Sequence, residues 1–418
     1  MQKLISKVTD KWDFYQGNSP EELIKAYGSP VYVYSERILR ERCRQMRSLI
    51  DYKYLEINYS AKANTNVRLL EIIRDEGLHS DAMSPGEIMA VKRAGFTPDR
   101  ILFVSNNVSE EEMRYAVENE LPICVDSLPQ LEMYGKINPG STVMVRINPG
   151  VGEGHSDKVV TGGKDTKFGV NMEYEPQLRE VLKKYNLRLT GIHFHIGSLF
   201  MDGRTFFTAV KEALNFALLF EGLEVLDFGG GFGVPYRKLE NQPHMDLKSF
   251  GQQLTEHIYY FTRKYGKEII IKLEPGRFIV AECGVLLGSV VAVKYNGPTC
   301  FAGTDLGFNI LPRPVIYGSH HDIELYRPAG RPLTPARSVT VVGNICETGD
   351  ILSRDVYMPE PLEGDIMGVL DAGAYCFVMA SLYNQRPLPA EVLIGLDGSV
   401  RLIRRRQSPE ELLEYLNE

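Results

Sequence analysis

Cysteine is sparse and unpatterned in this chain. Cys43, Cys124, Cys283, Cys300, Cys346 and Cys376 are scattered through 418 residues without a CxxC pair, which excludes a short-loop disulfide framework and fits reduced thiols in a cytosolic protein. Positive charge is short as well, with a formal net charge of −7 and no basic run interleaved with aromatics; the closest, "RLIRRRQ" at 401–407, reads as a solvated end strand. No nucleic-acid partner is expected. No stretch approaches the roughly 18 uninterrupted apolar residues of a membrane span, and "MQKLISKVTDKWDFYQG" has neither a continuous apolar core nor a small-residue cleavage site. The expectation is a soluble cytoplasmic protein acting on a small molecule. Internal repeats and low-complexity tracts are missing, as are a GxGxxG fingerprint at the first strand and a GxxxxGK[ST] loop.

What is present is a regular alternation. Apolar strand candidates occur at 55–62 ("LEINYSAK"), 78–84, 100–106, 122–127, 142–148, 189–197, 224–231 and 268–276. Between them lie helix-period stretches opened by Ser, Thr or Asp and closed by Gly. Eight strand–helix units fit a (β/α)8 TIM barrel, the alternative being an open doubly wound sheet. The polar residues decide between them. Lys62, Asp81, Asn106, Asp126, Arg146 with Asn148, His195, the glycines at 229–231, and Glu274 with Arg277 all fall at C-terminal strand ends. A barrel gathers such ends around one mouth; an open sheet spreads them along an edge.

From about Ala281 the pattern becomes strand-like runs separated by turns and prolines, an all-β domain that can recruit "PVYVYS" from the N-terminal segment. The expected division is a barrel over 35–280 and a β-domain from 1–34 and 281–418.

The strand ends suggest a chemistry. Alternation puts Asn58, Ser60 and Lys62 on the face pointing into the barrel, where a desolvated lysine becomes a nucleophile that can condense with an aldehyde. "DFGGGFG" at 227–233 and "EPGR" at 274–277 lie after the seventh and eighth strands, where barrels bind phosphate. His193 reads as a satisfied core histidine. His195 is placed to stack on a flat ring, with Ser198 in reach of an anion, and no third ligand has the spacing for a metal. Glu274 can face a pyridine nitrogen. Lysine for an aldehyde, an anion loop and a carboxylate for a ring nitrogen together imply pyridoxal phosphate.

"YSAKAN", "HIGS", "DFGGGFG", "EPGR", "GNICETGDIL", "DAGAY" and "YNQRPLPAEVLI" then resemble, in order and across nearly the whole chain, the fold-type III pyridoxal-phosphate-dependent decarboxylases, most closely those acting on diaminopimelate. The resemblance implies a barrel with a β-domain of the alanine racemase and ornithine decarboxylase type, in a homodimer with shared active sites. It makes Lys62 the residue holding the cofactor aldehyde and His195 the stacking residue. Glu274 becomes the partner of the ring nitrogen. Ser198, Gly229, Gly230, Gly231, Gly276, Arg277 and Tyr375 match positions around the phosphate or substrate. Cys346 matches the acid that reprotonates the product carbon, typically from the other subunit. Arg277, Arg313, Tyr317, Glu347 and Tyr375 match substrate-binding positions.

The implied reaction is loss of CO2 from the D-centre of meso-2,6-diaminopimelate, giving L-lysine; the alternative is decarboxylation of another basic amino acid or carboxylated diamine. A substrate with two amino-acid heads needs a cation for its distal carboxylate and an acid for its distal ammonium, and Arg313 and Glu347 supply both. Pro85, Leu306, the Leu311–Pro312 pair and Cys376 depart from the common pattern near the expected rim. The glycine- and charge-rich 150–169 segment reads equally as a mobile cover or a surface loop.

Overall fold

The computed structural model describes residues 2–3, 8–104, 106–154, 158, 160–163 and 166–414. Six positions of the 150–169 segment (155–157, 159, 164 and 165) lie outside the described residues. The chain divides into two compact units: residues 40–234 with 244–279, and residues 1–39 with 235–243 and 280–418.

The first unit is a closed parallel barrel. Its strands are β1 (Leu55–Ser60), β2 (His79–Ala82), β3 (Ile101–Val104), β4 (Ile123–Val125), β5 (Thr142–Asn148), β6 (Arg188–His193), β7 (Val225–Asp227) and β8 (Ile270–Leu273). Each pairs with the next, β8 returns to β1, and so no edge is left among them. Seven lie within the stretches anticipated from the apolar runs, and β6 begins one residue before its own. The helices begin where capping chemistry dictates. Asn66, Ser84, Ser109 and Ser127 each accept a backbone N–H of the turn they open, and Pro85 stands in the first turn of its helix, where a missing N–H costs nothing.

The barrel interior is layered. Leu102, Val104, Cys124 and Met144 form an apolar cluster, and Gly191 on β6 makes room for it: a Cβ there would come 2.8 Å from the Met144 side chain. Toward the strand C-termini the interior turns polar, with Ser60 level with Asp81, and His193 level with both Arg146 and Asp227. Beside this end, Phe194, Phe200, Phe206, Phe228, Phe232 and Phe250 form a cluster of tilted, stacked and edge-on rings, a rigid apolar mass.

The second unit is built on the long strand Gly284–Asn296. It pairs antiparallel with Thr299–Thr304, with Ile366–Val369 and with Val31–Ser35, which in turn pairs parallel with Ala390–Ile394. Val31–Ser35 is therefore an interior strand, buried at every position. Residues 235–243 join this unit through Lys238, whose ammonium lies 3.1 Å from Glu282 Oε1, contacts Asp371 and sits over the Trp12 ring.

Candidate active site

The barrel mouth gathers Lys62, His195, Ser198, Gly229, Gly230, Gly231, Glu274, Gly276 and Arg277 in one unit. The strand alternation stops short of Lys62. β1 ends at Ser60, and Ala61–Ala63 form a 3-10 turn, so a turn rather than a strand face presents the lysine, with its Nζ 3.7 Å from Met83 Sδ.

Glu274, immediately beyond β8, is 7% exposed. Its Oε2 accepts a hydrogen bond from His193 Nε2 at 2.9 Å, and its Oε1 is buried without a partner among the described residues. Burial works to raise this carboxyl, but His193, Lys62 and Arg146 outweigh burial and hold it below the ordinary carboxylate range. Two neighbours go the other way: burial, reinforced by the charge of Glu274, pushes Asp81 and Asp227 well above theirs. One ionised carboxylate flanked by two acids that favour their protons is the result. Burial also lowers His193, so it donates to Glu274 as a neutral ring.

His195 follows two positions after His193. Burial first, then the Lys62 charge, lowers it well below the ordinary histidine value. Its Nδ1 accepts the Gly230 N–H at 3.1 Å, so the remaining proton sits on Nε2 and the neutral ring is tied to the glycine loop. That loop admits no side chain. At Gly229, where φ is +64°, a Cβ would lie 2.8 Å from His195 Nδ1; at Gly230 it would lie 2.0 Å from the Glu274 carbonyl oxygen; at Gly231, where φ is +104°, it would lie 2.5 Å from the Gly197 oxygen. Asp227 Oδ1 accepts the Gly229 N–H at 2.9 Å, coupling the acid cluster to the loop.

Arg277, 6% exposed, donates to Ser198 Oγ from Nη2 at 2.9 Å and from Nε at 3.3 Å. Gly276 beside it is buried. Gly197–Ser198 also pairs with Glu153–Gly154, and Asn148 Oδ1 accepts the N–H groups of Gly150 and Gly163 at 3.0 Å each. The described parts of the 150–169 segment are thus stitched to the barrel.

Arg313, Tyr317, Cys346, Glu347 and Tyr375 lie in the β unit. Arg313 is 1% exposed and opens the short helix Arg313–Tyr317, where Tyr317 is half-buried. Cys346 and Glu347 are exposed on a loop pinned by Asp350, whose carboxylate accepts the Ile345 N–H at 2.7 Å and the Phe308 N–H at 2.8 Å. The Cys346 N–H donates to Asn384 Oδ1 at 2.8 Å, and Glu347 Oε1 accepts from the Tyr383 hydroxyl at 2.6 Å. Tyr375 is half-buried with φ of +57°.

The pyridoxal binding domain of pyridoxal-dependent decarboxylases matches residues 36–281. The diaminopimelate decarboxylase of Methanothermobacter thermautotrophicus is 39% identical over 98% of this chain and 97% of its own length. The chain belongs to the diaminopimelate decarboxylase family. The Escherichia coli member is 35% identical over 93% of both chains. The diaminopimelate decarboxylase structure from Helicobacter pylori, solved with L-lysine, superposes with a TM-score of 0.86 at 30% identity, covering 95% of this chain and 99% of that one. As a family member the chain is a pyridoxal-dependent decarboxylase, and its residues fit the cofactor. The unpartnered buried Oε1 of ionised Glu274 needs a donor such as a protonated ring nitrogen. A loop too tight for any Cβ leaves backbone close enough for a phosphate, and a lysine stands at the mouth.

Sequence reasoning missed three groups. His193, read as core, bonds Glu274 directly; Asp227 holds the glycine loop; Asp350 anchors the Cys346 loop. The i, i+2 spacing of His193 and His195 was the available signal for the first.

Proposed function

We propose that the chain decarboxylates meso-2,6-diaminopimelate at its D-centre to L-lysine and CO2, in the cytoplasm, as a homodimer whose active sites draw on both copies. The barrel over 35–280 binds the cofactor; the β-domain from 1–34 and 281–418 supplies substrate-binding groups. Bound pyridoxal phosphate supplies the electron sink for loss of CO2 from an amino-acid α-carbon. Lys62 holds its aldehyde, His195 lies against its ring, and Ser198, Arg277, Gly276 and the Gly229–Gly231 loop hold its phosphate, with Tyr375 alongside.

Glu274 keeps the ring nitrogen protonated, and being ionised and buried it does so in a medium where its charge is felt strongly. His193 keeps Glu274 oriented. Cys346 Sγ carries the proton delivered to the product carbon, a task suited to the S–H of an exposed thiol. Arg313 with Tyr317 receives the distal carboxylate, and Glu347 the distal ammonium.

The observation that carries the substrate is Arg313. Its guanidinium is buried, forms no ion pair among the described residues, and keeps Nη2 without a partner. A buried cation of this kind suits a ligand carboxylate remote from the one that leaves, which lysine, ornithine and arginine lack. CO2 release measured across meso-diaminopimelate, lysine, ornithine and arginine tests this. Diaminopimelate is expected to lead by orders of magnitude, and a preference for any monocarboxylate would overturn the assignment. Lys62→Ala is expected to abolish both turnover and the absorption band of lysine-bound cofactor.

A further inference from the structure

Among the described residues, Arg313 is accommodated without a counter-charge. Its guanidinium carbon lies 4.5 Å from the centre of the Tyr236 ring, and its Nη1 lies 2.7 Å from His321 Nε2. The other nitrogen of that imidazole, Nδ1, is 2.7 Å from the Leu370 carbonyl oxygen. These contacts fix the protons. A guanidinium can only donate and a carbonyl can only accept, so Nε2 is bare, Nδ1 carries the hydrogen, and the ring is neutral.

The support of His321 is itself held. The Leu370 N–H donates to the Asp322 carbonyl at 2.9 Å, Asp322 Oδ2 accepts the Leu239 N–H at 3.0 Å, and Tyr236 meets His321 edge-on with ring centres 5.2 Å apart. His321 is 2% exposed. The Tyr236–Leu239 segment, the His321–Asp322 pair just ahead of strand Ile323–Arg327 and Leu370 therefore form one frame with Arg313 inside it.

We propose that His321 is a positioning residue for recognition of the distal carboxylate, an inference that rests on reading Arg313 as its receptor. A carboxylate at position 321 would orient the guanidinium equally well, but it would cancel the charge and compete with the substrate. A neutral acceptor fixes the plane through Nη1 and leaves the full positive charge and Nη2 for the ligand. The distal carboxylate is remote from the carbon that loses CO2, so this contact is equally strong in ground and transition states. Its loss therefore appears in KM and not in kcat.

His321→Leu removes the acceptor while keeping apolar bulk. It is expected to raise KM for meso-diaminopimelate about tenfold or more, and the inhibition constant of L-lysine in parallel, with kcat within about threefold. His321→Gln, whose amide can accept from Arg313 and donate to Leu370, is expected to recover most of the loss. Should the leucine variant be insoluble, His321→Asn, too short to reach Arg313 in the same way, carries the same test. A KM within about twofold of the parent, or Leu and Gln variants equally impaired with kcat falling alongside KM, would overturn the proposal. Arg313→Met separates the two readings. If it leaves KM unchanged, the receptor assignment itself fails; if it raises KM while His321→Leu does not, only the positioning role fails.

Discussion

Glu274 differs from Asp81 and Asp227 by its neighbours, not its chemistry: cations and the His193 N–H surround it, whereas the aspartates feel its own negative charge. Replacing that charge by an amide should remove the support for a protonated ring. Glu274→Gln is expected to retain cofactor and lose about a hundredfold or more in kcat, read by steady-state kinetics and absorbance. Asp126 offers a separate check. Burial pushes its carboxyl up to about 6, so the folded state holds a proton that the unfolded chain has released, and stability falls as pH rises from about 4 to about 6. Asp126→Asn has no such loss. Its melting temperature relative to the parent is expected to be higher at pH 7.5 than at pH 4.5, by up to roughly 2–3 kcal/mol of stability. At this scale Lys62, His195 and Glu274 were legible because a polar residue closing an apolar strand is anomalous. His193 was not, since its partner lies 81 positions away.

At the scale of elements, the barrel strands and the helix starts at Asn66, Ser84, Ser109 and Ser127 could be read locally, because short apolar runs and Ser or Asn caps are local signals; the helices Glu175–Lys184 and Arg204–Ala217 open without a side-chain cap. The end of β1 could not, because alternation continues on paper through the 3-10 turn that carries Lys62. The glycine loop joins both kinds of information. Its composition is visible in the chain, but the reason Gly230 tolerates nothing else is the Glu274 carbonyl of another strand end, 2.0 Å from any Cβ. Gly230→Ala should shift the end of β8 together with Glu274; retention of cofactor through gel filtration is expected to fall while the rest of the fold survives. Val31–Ser35 makes a complementary prediction. It is bonded on both sides, by Gly284–Asn296 and by Ala390–Ile394, so deletion of residues 1–35 is expected to give insoluble protein rather than a trimmed enzyme.

At the scale of the whole molecule, Lys62, His195 and Glu274, assigned to the cofactor, lie in one compact unit, and Arg313, Tyr317, Cys346 and Glu347, assigned to the substrate and its protonation, lie in the other. If active sites are shared between copies, Lys62→Ala and Cys346→Ala, each inactive alone, should complement after mixing and refolding. Random reassortment into dimers is expected to restore about a quarter of parental activity, and no recovery would place both residues of a site in one copy. Pattern and spacing along the chain were enough to determine the strand count, the anomalous polar ends and the cofactor class, and short motifs in order carried the resemblance to the family, since each is written in short stretches whose physics is local. Only the tertiary structure decided which of three carboxylates stays ionised, that His193 serves Glu274, and that Arg313 is held by a neutral His321 with one nitrogen left over. Those properties depend on burial and on partners far apart in the chain, and charge and hydrogen-bond balance exist only once the partners have met.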